Sequence, residues 1–242
     1  MVTVENLAPP NGTYLTPMWV GFHDGTFDLY DLGAPASMGI ERIAEDGNVA
    51  PLSAAFAASG LGSVDGVLGG GPIAPGTSAS TILNLDPNSP ASRYFSYASM
   101  IIPSNDAFIA NGNPLSFEIF DGSGAFLGAN FIVLGSMVRD AGTEVNDEIP
   151  ANTAFFGQAT PDTGVDENGV VHEHLGFLAV GSGGILDAPD FAAADFTTSG
   201  YQVARVTISA VPENLGTGPI LLLSTMGLLA VRWARRPMRA CA

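Results

Sequence analysis

Thirty glycines and 17 prolines are spread through the 242 residues, and they leave few stretches long enough for an ordinary helix. Both residues punctuate a chain, so what lies between them is built from short elements. Between the breaks the apolar residues alternate. Val2 and Val4 alternate with Thr3 and Glu5, Leu115, Phe117 and Ile119 with Ser116 and Glu118, and Ala204, Val206 and Ile208 with Arg205, Thr207 and Ser209. A period of two marks strands with one buried face. The run FIVLGSMV from Phe131 is apolar throughout, as a strand covered on both faces would be. Only PASMGIERIAEDG, ending on Gly47, and APLSAAFAAS read as helices. The stretch SGLGSVDGVLGGGPIAPGTSAS (59–80) reads as a long glycine-serine loop, and without a Gly-Lys-Ser/Thr end it is no phosphate cradle. With 46% hydrophobic residues a sizeable core is expected. Many short strands and few helices predict an all-β chain: one antiparallel β-sandwich over residues 1–210 with one or two short helices.

Charge divides the chain at the same place. Residues 1–210 hold 23 acids against Arg42, Arg93, Arg139 and Arg205, a net charge of −19. Residues 211–242 hold Glu213 and four arginines, a net charge of +3. A body this negative repels nucleic-acid phosphates, so no nucleic-acid partner is expected, and it suits solubility or the attraction of cations. Cys241 is the single cysteine, so no disulfide forms within the chain.

The tail from Val211 reads VPENLGTGPILLLSTMGLLAVRWARRPMRACA. An apolar run from Ile220 to Val231 precedes Arg232, Arg235, Arg236 and Arg239. With its flanks, residues 215–234, it reaches the roughly 20 residues that span a bilayer as a hydrophobic helix. The arginines would stay on the cytoplasmic side, placing residues 1–210 outside. The segment resembles PEP-CTERM sorting signals of Gram-negative bacteria: Val211-Pro212-Glu213 match, and Asn214 stands where a second proline is usual. The resemblance implies cutting by an exosortase-type enzyme and delivery to the cell surface or the extracellular matrix. Such proteins also carry a leader peptide. The sequence opens directly in strand-like alternation, so the true start is expected upstream of Met1.

Two acids stand out because each sits where an apolar strand runs out: Asp106, after SMIIPSN, and Asp140, after FIVLGSMVR. A shared sandwich end would bring both within reach of one ion. Calcium is a hard cation that takes six to eight oxygens from carboxylates and loop carbonyls, and it would remove the repulsion between the two acids. SYASMIIPSNDAFIA, RDAGTEVNDE and VARVTI, in that order, together resemble the spondin N-terminal domain, and the block HDGTFDLYDLGAPASMGIERIAEDGNVAPL looks like its bacterial branch. The resemblance covers roughly residues 1–210. It implies a C2-like antiparallel β-sandwich that binds Ca2+ at one end and serves as a binding or adhesion module toward an extracellular polysaccharide or protein. It also implies Asp106 and Asp140 as ligands. The family's third ligand is a Glu in the preceding strand; here STILNLDP offers Asn84 or Asp86 instead, and Glu144 is the other candidate to complete the site.

A rival site is VVHEHLGF. On a regular strand His172 and His174 point to one face, a spacing that can hold zinc or copper. The alternative function is therefore an extracellular metallohydrolase using His172 and His174, with His23 the only further imidazole.

Overall fold

A computed structural model describes residues 1–211; the expected sorting segment, from Pro212 onward, lies outside the described residues. Residues Met1–Ala210 form one compact unit. In chain order its elements are β1 (Val2–Asn6), β2 (Tyr14–Leu15), β3 (Met18–His23), α1 (Met38–Asp46), α2 (Ala50–Ser59), β4 (Gly62–Leu68), β5 (Ser78–Thr81), β6 (Tyr94–Ile102), β7 (Ala107–Ala110), β8 (Ala129–Leu134), β9 (Arg139–Asp140), β10 (His172–Glu173) and β11 (Gln202–Ile208). Among the described residues no helix is long and apolar enough to cross a membrane.

The strands form two antiparallel sheets. The smaller is ordered β5-β1-β11-β8; the larger runs β10-β9-β7-β6-β3-β4, with β2 paired to the end of β6. Alternation sets the register of the smaller sheet. Val4 faces Val206 across β1 and β11, both buried, while Glu5 faces Arg205 and pairs with it at 2.7 Å on the outer side. One apolar cluster joins the sheets: Val4, Val206 and Val133 from the smaller, Phe22, Phe95 and Ile109 from the larger. That shared core makes the body a sandwich.

The other face of the larger sheet is covered as well. Trp19, Ala98 and Phe108 pack against Ile40 and Ile43 of α1 and Leu52 and Phe56 of α2. All six residues of β3 are buried for this reason. Local chemistry places α1. Ser37 caps its start by accepting from the Ile40 N–H at 3.3 Å, and Gly47 ends it in the left-handed region, its N–H bonded to Ile43 O at 2.9 Å.

Three expectations are corrected. The glycine-serine stretch 59–80 contains β4 and β5, because β3 and β1 supply partners that its own composition does not announce. FIVLGSMV is not one doubly covered strand: β8 is an edge strand ending at Leu134, with Ile132 36% and Leu134 39% exposed, and the chain then crosses to the larger sheet. The alternation at Leu115–Phe120 forms no strand of its own. It makes only single pairings, Glu118 with Tyr94 and Phe120 with Phe126, hemmed by Pro114 on one side and the Asp121 turn on the other.

Candidate metal centre

The site lies where β6 turns into β7. The turn is braced by Ser104, whose hydroxyl donates to Ile101 O at 2.7 Å and accepts from the Ala107 N–H at 3.1 Å. This fixes Asp106 at the head of β7, fully buried. In the next strand, Asp140 faces Ala107 across β7 and β9 and His172 across β9 and β10. Asp106 thus lies in the bend one residue before the strand partner of Asp140. Asp140 is 2% exposed.

The chain after Asp140 wraps back over both carboxylates. Gly142 N–H donates to Asp140 Oδ1 at 2.7 Å, and Thr143 and Glu144 N–H both donate to Asp106 Oδ2, at 2.8 and 3.1 Å. Gly142 has φ +67°, and a Cβ there would lie 2.5 Å from Val170 O, so no larger residue fits this turn. Asn146 donates through Nδ2 to Asp140 Oδ2. The same wrap pairs with the segment before β10: Glu167 N–H donates to Thr143 O at 2.8 Å and Gly169 N–H to Gly142 O at 2.7 Å. These bonds bring Glu167 to the pair. One carboxylate oxygen each of Asp106, Asp140 and Glu167 lie within 4.8 Å of one another.

Electrostatics leave this cluster incomplete. Asp106 Oδ2 is well satisfied, but its Oδ1 is buried with no hydrogen-bond partner. Burial, and then the neighbouring Asp140, push the Asp106 carboxyl up to about 7, against the pull of the two backbone donors. Two charges this close repel by roughly 3 kcal/mol at an effective dielectric constant of 20. His172 stands beside the pair, its Nε2 3.6 Å from Asp140 Oδ1. Three carboxylates with no thiolate, and one bare buried oxygen, are a donor set that could hold a hard divalent cation.

Of the ligands read from the sequence, the structure brings Asp106 and Asp140 together. Glu144 contributes its backbone N–H and not its carboxylate. Its side chain turns to Gly164 N–H, which donates to Oε1 at 2.9 Å, while Oε2 is buried without a partner. Burial and nearby Glu45 push Glu144 up to about 8. Asn84 and Asp86 are exposed and lie away from the centre. Asp86 accepts from Asn88 N–H at 2.9 Å in the loop that leads to the start of β6, whereas Asp106 follows its far end, about 30 Å along a nine-residue strand. Glu167 was missed. Its signal was the acid-rich turn VDENG just before VVHEH, legible only once that segment is known to lie beside the loop after Asp140.

His172 and His174 do not make a metal site of their own. β10 is only two residues long, so the regular strand that would align them is absent. His174 is buried edge-on to Phe196, and its Nδ1 accepts from Gly176 N–H at 3.0 Å. Burial pushes it down to about 4. Among the described residues no other three His, Cys, Asp or Glu side chains converge as the acidic triad does. The chain matches no protein-family model and no curated protein sequence.

Proposed function

We propose that the body is a calcium-binding β-sandwich of the C2-like, spondin N-terminal kind, exported and held at the cell surface or in the extracellular matrix as a non-enzymatic binding module. The observation that carries this reading is the convergence of the Asp106, Asp140 and Glu167 carboxylates, with Asp106 Oδ1 buried and unpartnered. Apo, that arrangement pays for burial and repulsion with nothing in return; a divalent cation supplies the missing partner. Calcium is favoured over magnesium because the donors sit on a loop-built end with mixed exposure, which suits a flexible coordination shell. Three carboxylates, one of them exposed, fit the weak end of the calcium scale, a dissociation constant of about 0.1–1 mM, as in extracellular modules.

The remainder of the reading rests on sequence. The acidic body and the arginine-ended tail support export through a membrane-crossing segment, 215–234, with an exosortase-type enzyme as processing partner and a Gram-negative surface as destination. An extracellular polysaccharide or protein is the partner class. The histidine-based hydrolase has no observation in its favour.

Calcium titration of the full chain, followed by thermal melting and calorimetry, tests the metal. Saturating calcium should raise the melting temperature, and at a concentration 100 times the dissociation constant the gain is about 2.7 kcal/mol. Asp140→Asn and Glu167→Gln should weaken the response, and Asp86→Asn should leave it intact. An Asp86 variant that loses the response while Asp140→Asn keeps it would move the site to the other end of β6.

A further inference from the structure

Three of the four arginines in the body are neutralised. Arg42 pairs with Asp162 at 2.6 Å and with acids of its own helix, Arg93 with Glu118 at 2.6 Å, and Arg205 with Glu5 at 2.7 Å. Arg139 forms no ion pair among the described residues, although the body around it holds 23 acids. Its Nη1 donates to two carbonyls, Ser136 O at 3.1 Å and Val138 O at 3.2 Å, and its Nε is buried with no partner. Those carbonyls orient the guanidinium and leave its charge unmatched.

Arg139 lines a cleft of about 410 Å3 at the end of β7 opposite Asp106. The cleft exists because β7 stops at Ala110. Beyond it the Asn111 side chain takes the place of a ladder partner, accepting from Tyr97 N–H at 3.0 Å, and the chain turns away. Rings of Tyr30 and Phe117 form its walls, and Tyr97 reaches it from the core. Neither tyrosine hydroxyl has a hydrogen-bond partner among the described residues. Burial and the nearby Tyr30 push the Tyr97 hydroxyl up while Arg139 acts against them. Tyr30 is held by the close approach of Gly112, where a Cβ would lie 2.8 Å from its Cζ. Asp31 stands exposed at the rim.

We propose that this cleft binds a hexuronate residue, a six-membered sugar ring carrying a carboxylate. With Nη1 committed to the two carbonyls and Nε buried, Nη2 is the donor left for a carboxylate, a charge-assisted hydrogen bond to an unmatched cation. The aromatic walls accept the apolar face of a sugar ring, and the Tyr30 hydroxyl and Asp31 meet its hydroxyls, while Tyr97, 1% exposed, only backs the cleft. A neutral sugar leaves Arg139 unmatched, and a flat apolar anion leaves the hydroxyls and Asp31 unused. The volume falls within the roughly 300–1,000 Å3 of small-ligand sites. The negative field of the body does not forbid an anion here, since exposed charges are screened beyond about 8 Å at physiological salt and Arg139 lies at the contact. This goes beyond the calcium reading and does not rest on it.

The test is calorimetric titration of the full chain with glucuronate, glucose and benzoate in EDTA, so that no metal bridges a carboxylate to the acidic triad. Glucuronate should bind at least tenfold more tightly than glucose or benzoate. Arg139→Gln should weaken glucuronate at least tenfold and glucose hardly at all, and Tyr30→Ala should weaken both sugars, with thermal melts confirming that each variant folds. Arg139→Lys, which keeps the charge and loses the two carbonyl bonds that orient it, should recover only part of the affinity. Equal binding of glucuronate and glucose, benzoate binding as tightly as glucuronate, a folded Arg139→Gln variant with unchanged affinity, or no saturation with glucuronate at tens of millimolar would each overturn the proposal.

Discussion

Asp106 poses the sharpest question, because its two oxygens live in different worlds. Oδ2 receives the Thr143 and Glu144 N–H groups, and Oδ1 receives nothing. An asparagine keeps an oxygen for those two donors and puts an uncharged NH2 group in place of Oδ1. The charge repulsion disappears with the same substitution. Asp106→Asn should therefore stabilise the calcium-free protein by about 1–2 kcal/mol, part of the repulsion between two close carboxylates, while abolishing stabilisation by calcium. Urea unfolding in EDTA and in calcium measures both. An acid that merely caps a turn would give the opposite result, a loss in EDTA and no change in the metal response. The sequence exposed this residue because a carboxylate at the end of an apolar run is chemically out of place. It hid Glu167, which is exposed and joins the site only through the backbone pairing of Thr143 with Glu167 and Gly142 with Gly169.

At the scale of elements, legibility followed how local the determinants were. Helix α1 was readable because its stop and its apolar positions are written within PASMGIERIAEDG. β1 and β11 were readable because each alternates cleanly over its own length. β4 was not: Gly62, Ser63, Asp65 and Gly66 carry little apolar signal, and the strand forms because β3 offers it six paired residues. Pairing with a distant strand overrides weak local preference. β8 misled in the other direction, since its apolar run sits on a sheet edge where half of it meets solvent. α1 also has a structural duty, as the cover over the outer face of the larger sheet. Ile43, fully buried between α1 and that sheet, should cost about 2–4 kcal/mol when cut to alanine. Exposed Ile82, also an isoleucine, should cost far less. Equal losses for Ile43→Ala and Ile82→Ala in urea melts would mean that α1 does not seal this face.

At the scale of the whole molecule, among the buried titratable groups, His23 and Glu45 pull stability in opposite directions with pH. His23 joins β3 to β6: its Nδ1 accepts from Gly25 N–H at 3.0 Å, so its Nε2–H donates to Ser96 Oγ at 2.8 Å, a pattern only the neutral ring can make. Burial pushes His23 down to about 4, with Asp24 acting weakly against it. Its contribution is complete above pH 6.5 and is lost as pH falls through 4. Glu45, 4% exposed on α1, is pushed up to about 7 by burial, and its hydrogen bond to Thr143 and the charge of Arg42 offset this only in part. Its contribution is complete below about pH 4.5 and is lost as pH rises through 7. Between pH 4.5 and 6.5 the two slopes largely cancel, so each group is best read from a difference. Relative to the parent chain, Glu45→Gln should gain about 3 kcal/mol as pH rises from 4.5 to 7, and His23→Gln should gain a similar amount as pH falls from 6.5 to 4. Each substitution also carries a pH-independent packing cost, which shifts its difference curve without tilting it. Denaturant unfolding of the three proteins from pH 4 to 8, all in EDTA, separates the tilt from the shift. Flat difference curves would mean that both groups titrate in the folded protein as they do in the unfolded chain.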